Sequence, residues 1–221
     1  PSIGQVFDVN NKNNAEIIFA VHFNKDIVNE GHTYWYDITN LTDESGQADA
    51  LVNCFTPGDT RKEMITYVKA ESKTYLMTKF LDTKNVSFNQ VGNDQILLRY
   101  ADVVLMYAEA LNELGYDASE SSIALKQLNA TRTRAGLTKL TAADVPTQES
   151  FRKAILDERQ KEFPYEGHRW FDLVRMGYAK SVLAAQGLNI QDYQLLFPIP
   201  QTEIEKVGNP DILWQNPGYD K

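Results

Sequence analysis

The sequence predicts a mainly α-helical fold, and three stretches carry that expectation. Residues 94–114 are apolar around most of a helical circumference: Gln95, Arg99, Asp102, Glu109, Asn112 and Glu113 share one arc of roughly 140° at about 100° per residue. So narrow a polar arc predicts a single helix packed on two or more sides. Residues 119–135 turn Ala124, Leu125 and Leu128 to one side and stop at Gly136. Residues 148–162 follow Thr147, whose hydroxyl suits an N-cap. Phe151, Ala154, Ile155 and Phe163 then face inward, while Glu149, Lys153, Asp157 and Lys161 form an outward ladder of i,i+4 pairs with alternating sign.

Ahead of these helices the chain reads differently. In AEIIFAVHF, residues 15–23, the side chains of Ile17, Phe19, Val21 and Phe23 alternate with Ile18, Ala20 and His22, which predicts an extended segment. Residues 24–93 form a long loop region, rich in Gly, Asn, Asp and Thr, with a second extended stretch near 67–80. A helical core spans 94–186. Its first helix stops at Gly115 and forms a hairpin with the second, and the spacing of Tyr107, Ala108, Gly115 and Tyr116 is like that of a tetratricopeptide repeat. Pro164 breaks the third helix, Gly167 permits a turn, and short helices are expected at 168–176 and 178–186. An extended tail, 187–221, carries the proline-locked LLFPIP and turns at GNP and NPGY. All of this is read as one domain, 1–221.

Composition excludes several functions. With 22 basic and 30 acidic residues the net charge is -8, and no basic run offers a footprint for nucleic acid or anionic lipid. A single cysteine, Cys54, lies in the apolar LVNCF and is expected to be a buried, inert thiol. No apolar run approaches the roughly 18 residues that a spanning helix needs. The beginning, PSIGQVFDVN, looks cut from a longer protein.

The densest chemistry lies at 157–177, DERQKEFPYEGHRWFDLVRMG. A glycosidase needs two carboxylates facing each other across a cleft, roughly 5–10 Å apart. Asp157 and Glu158 point about 100° apart on a helix, and Glu158 and Glu162 share one wall. His22, His32 and His168 stand singly, without metal-ligand spacing, and no nucleophile elbow or phosphate loop appears. Hence no catalytic residue, metal or cofactor is assigned. The stretch reads as a corner in which Arg159, Arg169 and Arg175 pair with Asp157, Glu158, Glu162, Glu166 and Asp172, around Tyr165, Trp170 and Phe171. His168 is expected to hydrogen-bond within that corner. Trp170→Ala is expected to cost roughly 3–5 kcal/mol as a core truncation.

That corner, with LLRYADVVLMYAEALNELG at 97–115, resembles signatures of the SusD/RagB family. AEIIFAVHFN at 15–24, LVNCFTPGDTRKE at 51–63 with its Asp59 and Arg61, FPIPQTEI at 197–204 and NPGY at 216–219 resemble further family stretches, in order along the chain. The chain departs from the pattern at Pro164, where a helix-compatible apolar residue is usual. The resemblance implies a helical, tetratricopeptide-like scaffold and a non-enzymatic, lipid-anchored outer-membrane protein. Such proteins bind oligosaccharide, or peptide, for uptake through a SusC-like TonB-dependent transporter in polysaccharide utilization. It identifies the chain as a C-terminal portion whose lipid anchor lies elsewhere. On the matching motifs, Arg99, Tyr100, Glu109, Arg159, Glu162, Gly167, His168, Arg169, Trp170 and Asp172 are expected to serve the scaffold.

Ligand contacts must then come from the loops. Sugars are held by aromatic faces flanked by amides and acids. NKDIVNEGHTYWYDITN at 24–40 has that composition, which makes Trp35, Tyr34, Tyr36, Asn24 and Asp37 the candidate ligand-binding residues. The alternative is that some of these rings cover the core. Trp214 is expected to be a packing anchor. A helical-repeat scaffold whose only partner is another protein is the competing functional reading.

Overall fold

A computed structural model describes residues 3–27, 40–42, 51–69, 74–80, 82 and 91–219. The chain forms two compact units, Pro1–His168 and Arg169–Lys221.

In the first unit a short helix α1, Ile3–Val6, precedes strand β1, Ile17–Val21. β2, Asn40–Thr42, β3, Ile65–Lys69, and β4, Thr74–Met77, form an antiparallel sheet in the order β2-β4-β3. The predicted loop region therefore contains a sheet. ITYVK and TYLM are rich in β-branched and aromatic residues, and each strand supplies the backbone partners the other lacks.

β5, Gln95–Arg99, pairs antiparallel with β1, and helix α2, Tyr100–Leu114, follows without a break. The helix expected at 94–114 is thus a strand and a helix. QILLR fits either state by pattern, and the exposed edge of β1 decides between them. Glu16 fixes the switch point: its carbonyl accepts the Tyr100 N–H at 2.7 Å and its Oε1 accepts the Ala101 N–H at 3.0 Å. A distant carboxylate thereby caps a helix whose own N-cap, Arg99, makes no side-chain cap bond. The alternation predicted for β1 is interrupted by register shifts on either side of Phe19, and Ile18 and Phe19 both lie exposed.

α3, Ile123–Arg134, and α4, Gln148–Glu162, both pack on α2, giving the tetratricopeptide-like helical hairpin with α4 beside it. Ser122 caps α3 through the Leu125 N–H, and Thr147 and Ser150 form a reciprocal capping box on α4. Leu105, Ala108, Leu128, Phe151, Ile155 and Leu156 are buried. Gly136 closes α3 in the left-handed region; a Cβ there would stand 3.0 Å from the Gly58 carbonyl oxygen. The buried face of α2 is Ala101, Asp102, Leu105, Ala108 and Asn112. On the opposite side Val103, Met106, Tyr107 and Leu114 are exposed, because α3 and α4 together cover less than the apolar circumference the sequence provides.

The second unit holds α5, Arg169–Arg175, and α6, Ala179–Ala184, near the two expected short helices. The tail is not wholly extended. QTEIEKV forms α7, Gln201–Val207, bounded by Pro200 at its start and Gly208 at a left-handed stop. Trp214, expected as an anchor, is 61% exposed. The tail is tied down instead by polar bonds: Gln215 exchanges hydrogen bonds of 2.8 Å with both backbone groups of Ile199, and Tyr219 Oη donates to the Leu196 carbonyl at 2.6 Å.

Candidate functional site

Of the corner's acids Glu158, Glu162 and Asp172 are buried and Asp157 is exposed, and Glu158 and Glu162 take partners from outside the stretch. Glu162 is fully buried. Its Oε1 accepts from Arg99 Nη1 at 2.7 Å and from Arg134, and its Oε2 accepts from Arg61 Nη1 at 3.0 Å. Arg61 also reaches Glu158 Oε1 at 2.7 Å and forks onto Asp59 at 2.9 and 2.8 Å. Arg99 forks onto Glu166 at 2.6 and 2.9 Å and touches Glu16 Oε1 at 3.1 Å. Lys79 pairs with Glu166 and donates to the Pro164 carbonyl at 3.2 Å. Arg159 binds Asp102 at 2.7 Å, and the Phe163 ring lies 4.3 Å from the Arg99 guanidinium carbon and 4.9 Å from that of Arg159. In the second unit Arg175 meets Asp172 at 2.7 Å, as expected.

Sequence proximity misled the pairing. A helix projects Glu158 and Glu162 away from its own outward charges and toward whatever packs on that face. That proves to be the 59–61 turn, the end of β5 and the end of α3. His168 stacks near Phe163, with ring centroids 4.8 Å apart, where a hydrogen bond was expected. Trp170 is half-buried, 6.2 Å from the Phe197 ring, and Phe171 is exposed; Phe163 is the buried aromatic of the stretch. Glu109 is half-buried and Tyr100 exposed. Cys54 is half-buried rather than fully enclosed.

Burial pushes the Glu162 carboxyl up, but Arg99, Arg134 and Arg61 together hold it well below the usual carboxylate range. Glu166 is likewise raised by burial and lowered further by Arg99 and Lys79, for a net depression. Burial pulls Lys79 down to about 8, against the opposing pull of Glu166. Glu162 and Glu166 therefore bind protons less readily folded than unfolded. Their stabilisation is complete above 4.5, the unperturbed value, and is lost as pH falls below it. Urea unfolding from about pH 6 to about pH 3 should show stability falling in that acid window, with a shallower fall for Glu166→Gln. Parallel falls in both proteins would remove Glu166 from the account.

A second polar cluster lies at the end of β1, around a cleft of about 490 Å³. Asn24 lines it, and its Oδ1 accepts the Asp26 N–H at 2.9 Å. Two buried carboxylates support it: Asp82 lines the cleft, and Asp94 holds two of its lining residues, Lys12 and His22. Asp94 accepts from Lys12 Nζ at 2.7 Å and from the Phe23 N–H at 3.1 Å, and lies 2.6 Å from His22 Nδ1. Asp82 takes Lys25 Nζ on both oxygens, at 2.9 and 2.7 Å, and the Gly92 N–H at 3.2 Å. Tyr34, Trp35, Tyr36 and Asp37 lie outside the described residues. Of the residues proposed from the sequence, Asn24 lines this cleft; His22, Lys12, Lys25, Asp82 and Asp94 are not among them. No local pattern marks these five; the pairing of β1 with β5 sets His22 beside Asp94, and contacts distant in sequence bring Lys12 to Asp94 and Lys25 to Asp82.

A further cleft, about 460 Å³, opens over Arg61, Lys79 and Arg134. Its cations are already matched by the glutamates beneath them, so the arrangement fixes the corner.

The family model described as SusD family matches residues 66–219. SusD-like protein P2 of Formosa agariphila is 35% identical over 140 residues, which cover 58% of this chain and 26% of that protein. Surface glycan-binding protein A from Bacteroides fluxus superposes with a TM-score of 0.76 at 26% identity, over 99% of this chain and 54% of that one. Surface glycan-binding protein A from Bacteroides thetaiotaomicron, in complex with laminarihexaose, superposes with a TM-score of 0.74 at 22% identity, over 98% and 55%. The chain thus spans about a quarter of the curated relative and about half of the solved structures.

Proposed function

We propose a function from one premise: this chain belongs to the SusD family. It forms part of a non-catalytic, surface-exposed protein, lipid-anchored at the outer membrane, that captures oligosaccharide for uptake through a SusC-like TonB-dependent transporter. The family match over 66–219 carries this reading, supported by the similarity to a surface glycan-binding protein from Bacteroides fluxus. The ligand is held by the stretch that follows β1: Trp35 stacks on a sugar face, flanked by Tyr34 and Tyr36, while Asn24 and Asp37 serve the hydroxyls. An aromatic body with polar neighbours is the chemistry a wet sugar site requires.

A stacking ring contributes by face contact. Trp35→Ala should therefore weaken glycan binding by at least about 1 kcal/mol, roughly fivefold, while the melting temperature stays near that of wild type. Titration of the best binder from a glycan and peptide array into both proteins measures this. Unchanged affinity would remove Trp35 from the site, and a peptide as best binder would replace the ligand class.

A further inference from the structure

The cleft at the end of β1 has an unusual charge balance. Its two ammonium groups, Lys12 and Lys25, each face a carboxylate from which water is excluded: the Asp82 side chain is 0% exposed and that of Asp94 4%. Both cations are therefore neutralised at hydrogen-bond distance before any ligand arrives. Exposed Asp26 on the rim adds a negative charge.

What remains for a ligand is a set of fixed hydrogen-bonding atoms. Asp94 accepts from two other groups as a carboxylate, so the proton of the short His22 contact belongs on Nδ1. In the neutral imidazole, the His22 Nε2 lone pair is then left outward, on a side chain that is 64% exposed. The Asn24 Oδ1 is spent on the Asp26 N–H, which leaves the amide NH2 to donate. The cleft offers an acceptor at His22, donors at Asn24, and an acceptor at Asp26.

We infer that this cleft is a subsite for a neutral, hydroxyl-rich sugar unit and discriminates against carboxylated or sulfated ones; the inference rests on the glycan reading above. A sugar hydroxyl both donates and accepts, so it answers Nε2 with its proton and the Asn24 NH2 with its lone pairs. An anionic sugar would need an unmatched cation. Here it would meet ammonium groups already paired and a rim carboxylate of its own sign. Asp82 and Asp94 are positioning residues: they hold the lysines and the imidazole and touch no ligand.

The test is calorimetric titration of the purified protein with two panels. One is neutral: laminarihexaose, cellohexaose, xylohexaose and maltohexaose. The other is acidic: hexagalacturonate and a sulfated carrageenan oligosaccharide. The tightest binder should be neutral, and His22→Ala and Asn24→Ala should each weaken it about fivefold with unchanged melting temperature. Both side chains are exposed, so the fold survives their truncation. A tightest binder from the acidic panel overturns the inference. So does a neutral binder that Trp35→Ala weakens while His22→Ala and Asn24→Ala leave it intact, and then the glycan reading stands without Asn24. Binding of nothing in either panel overturns both.

Discussion

Replacing Glu162 with glutamine is expected to lower the unfolding free energy by roughly 3–5 kcal/mol, the cost of removing one partner from a buried ion network. The amide keeps the shape of the carboxylate, so packing is not the cause. One charge disappears from a group that Arg61, Arg99 and Arg134 all share, and these elements are far apart in the sequence. Arg61 retains Asp59 and Glu158, and Arg99 retains Glu166 and Glu16. Arg134 keeps a longer contact, 3.7 Å, to Glu16. The amide NH2 would also turn a donor toward a guanidinium, which has no acceptor. Denaturant unfolding followed by circular dichroism measures the change. A loss below about 1 kcal/mol, the value of an exposed pair, would mean that the remaining acids suffice and that Glu162 is redundant.

Phe151→Ala is expected to cost about as much, roughly 3–5 kcal/mol, by a different mechanism. Phe151 is buried on α4 where Leu105 of α2, Leu128 of α3 and Ile155 are also buried, and its ring stands 6.3 Å from that of Tyr116. Truncation removes apolar area from the three-helix core and leaves a cavity that rigid helices close poorly. Trp170→Ala, for which the sequence alone predicts roughly 3–5 kcal/mol, should cost about half as much as Phe151→Ala, because Trp170 is only half-buried. Melting curves of the two variants decide the order. A Trp170 variant as unstable as the Phe151 variant would restore the cost expected from the sequence.

The legible part of this protein is the part with local periodicity. The 3.6-residue spacing of Ala124, Leu125 and Leu128, and of Phe151 and Ile155, together with the Thr147 cap, placed α3 and α4 close to where they lie. Those signals are read within a turn or two of helix, so a linear sequence contains them whole. QILLR marks the limit: five residues of mixed apolar character suit a strand or a helix, and the free edge of β1 chose between them.

The sequence by itself determined a mainly helical chain with a capped hairpin, its acidic corner, and a resemblance strong enough to place it in a family. Tertiary structure alone decided which charge meets which. Glu162 is 63 positions from Arg99, and Asp94 is 72 from His22; no propensity links such residues. Their pairing follows from the desolvation cost of burying a charge, which is met only when chain segments with opposite charge fold onto one another. That requirement brings Lys12, His22, Lys25, Asp82 and Asp94 around one cleft, where the sequence shows five unremarkable polar residues.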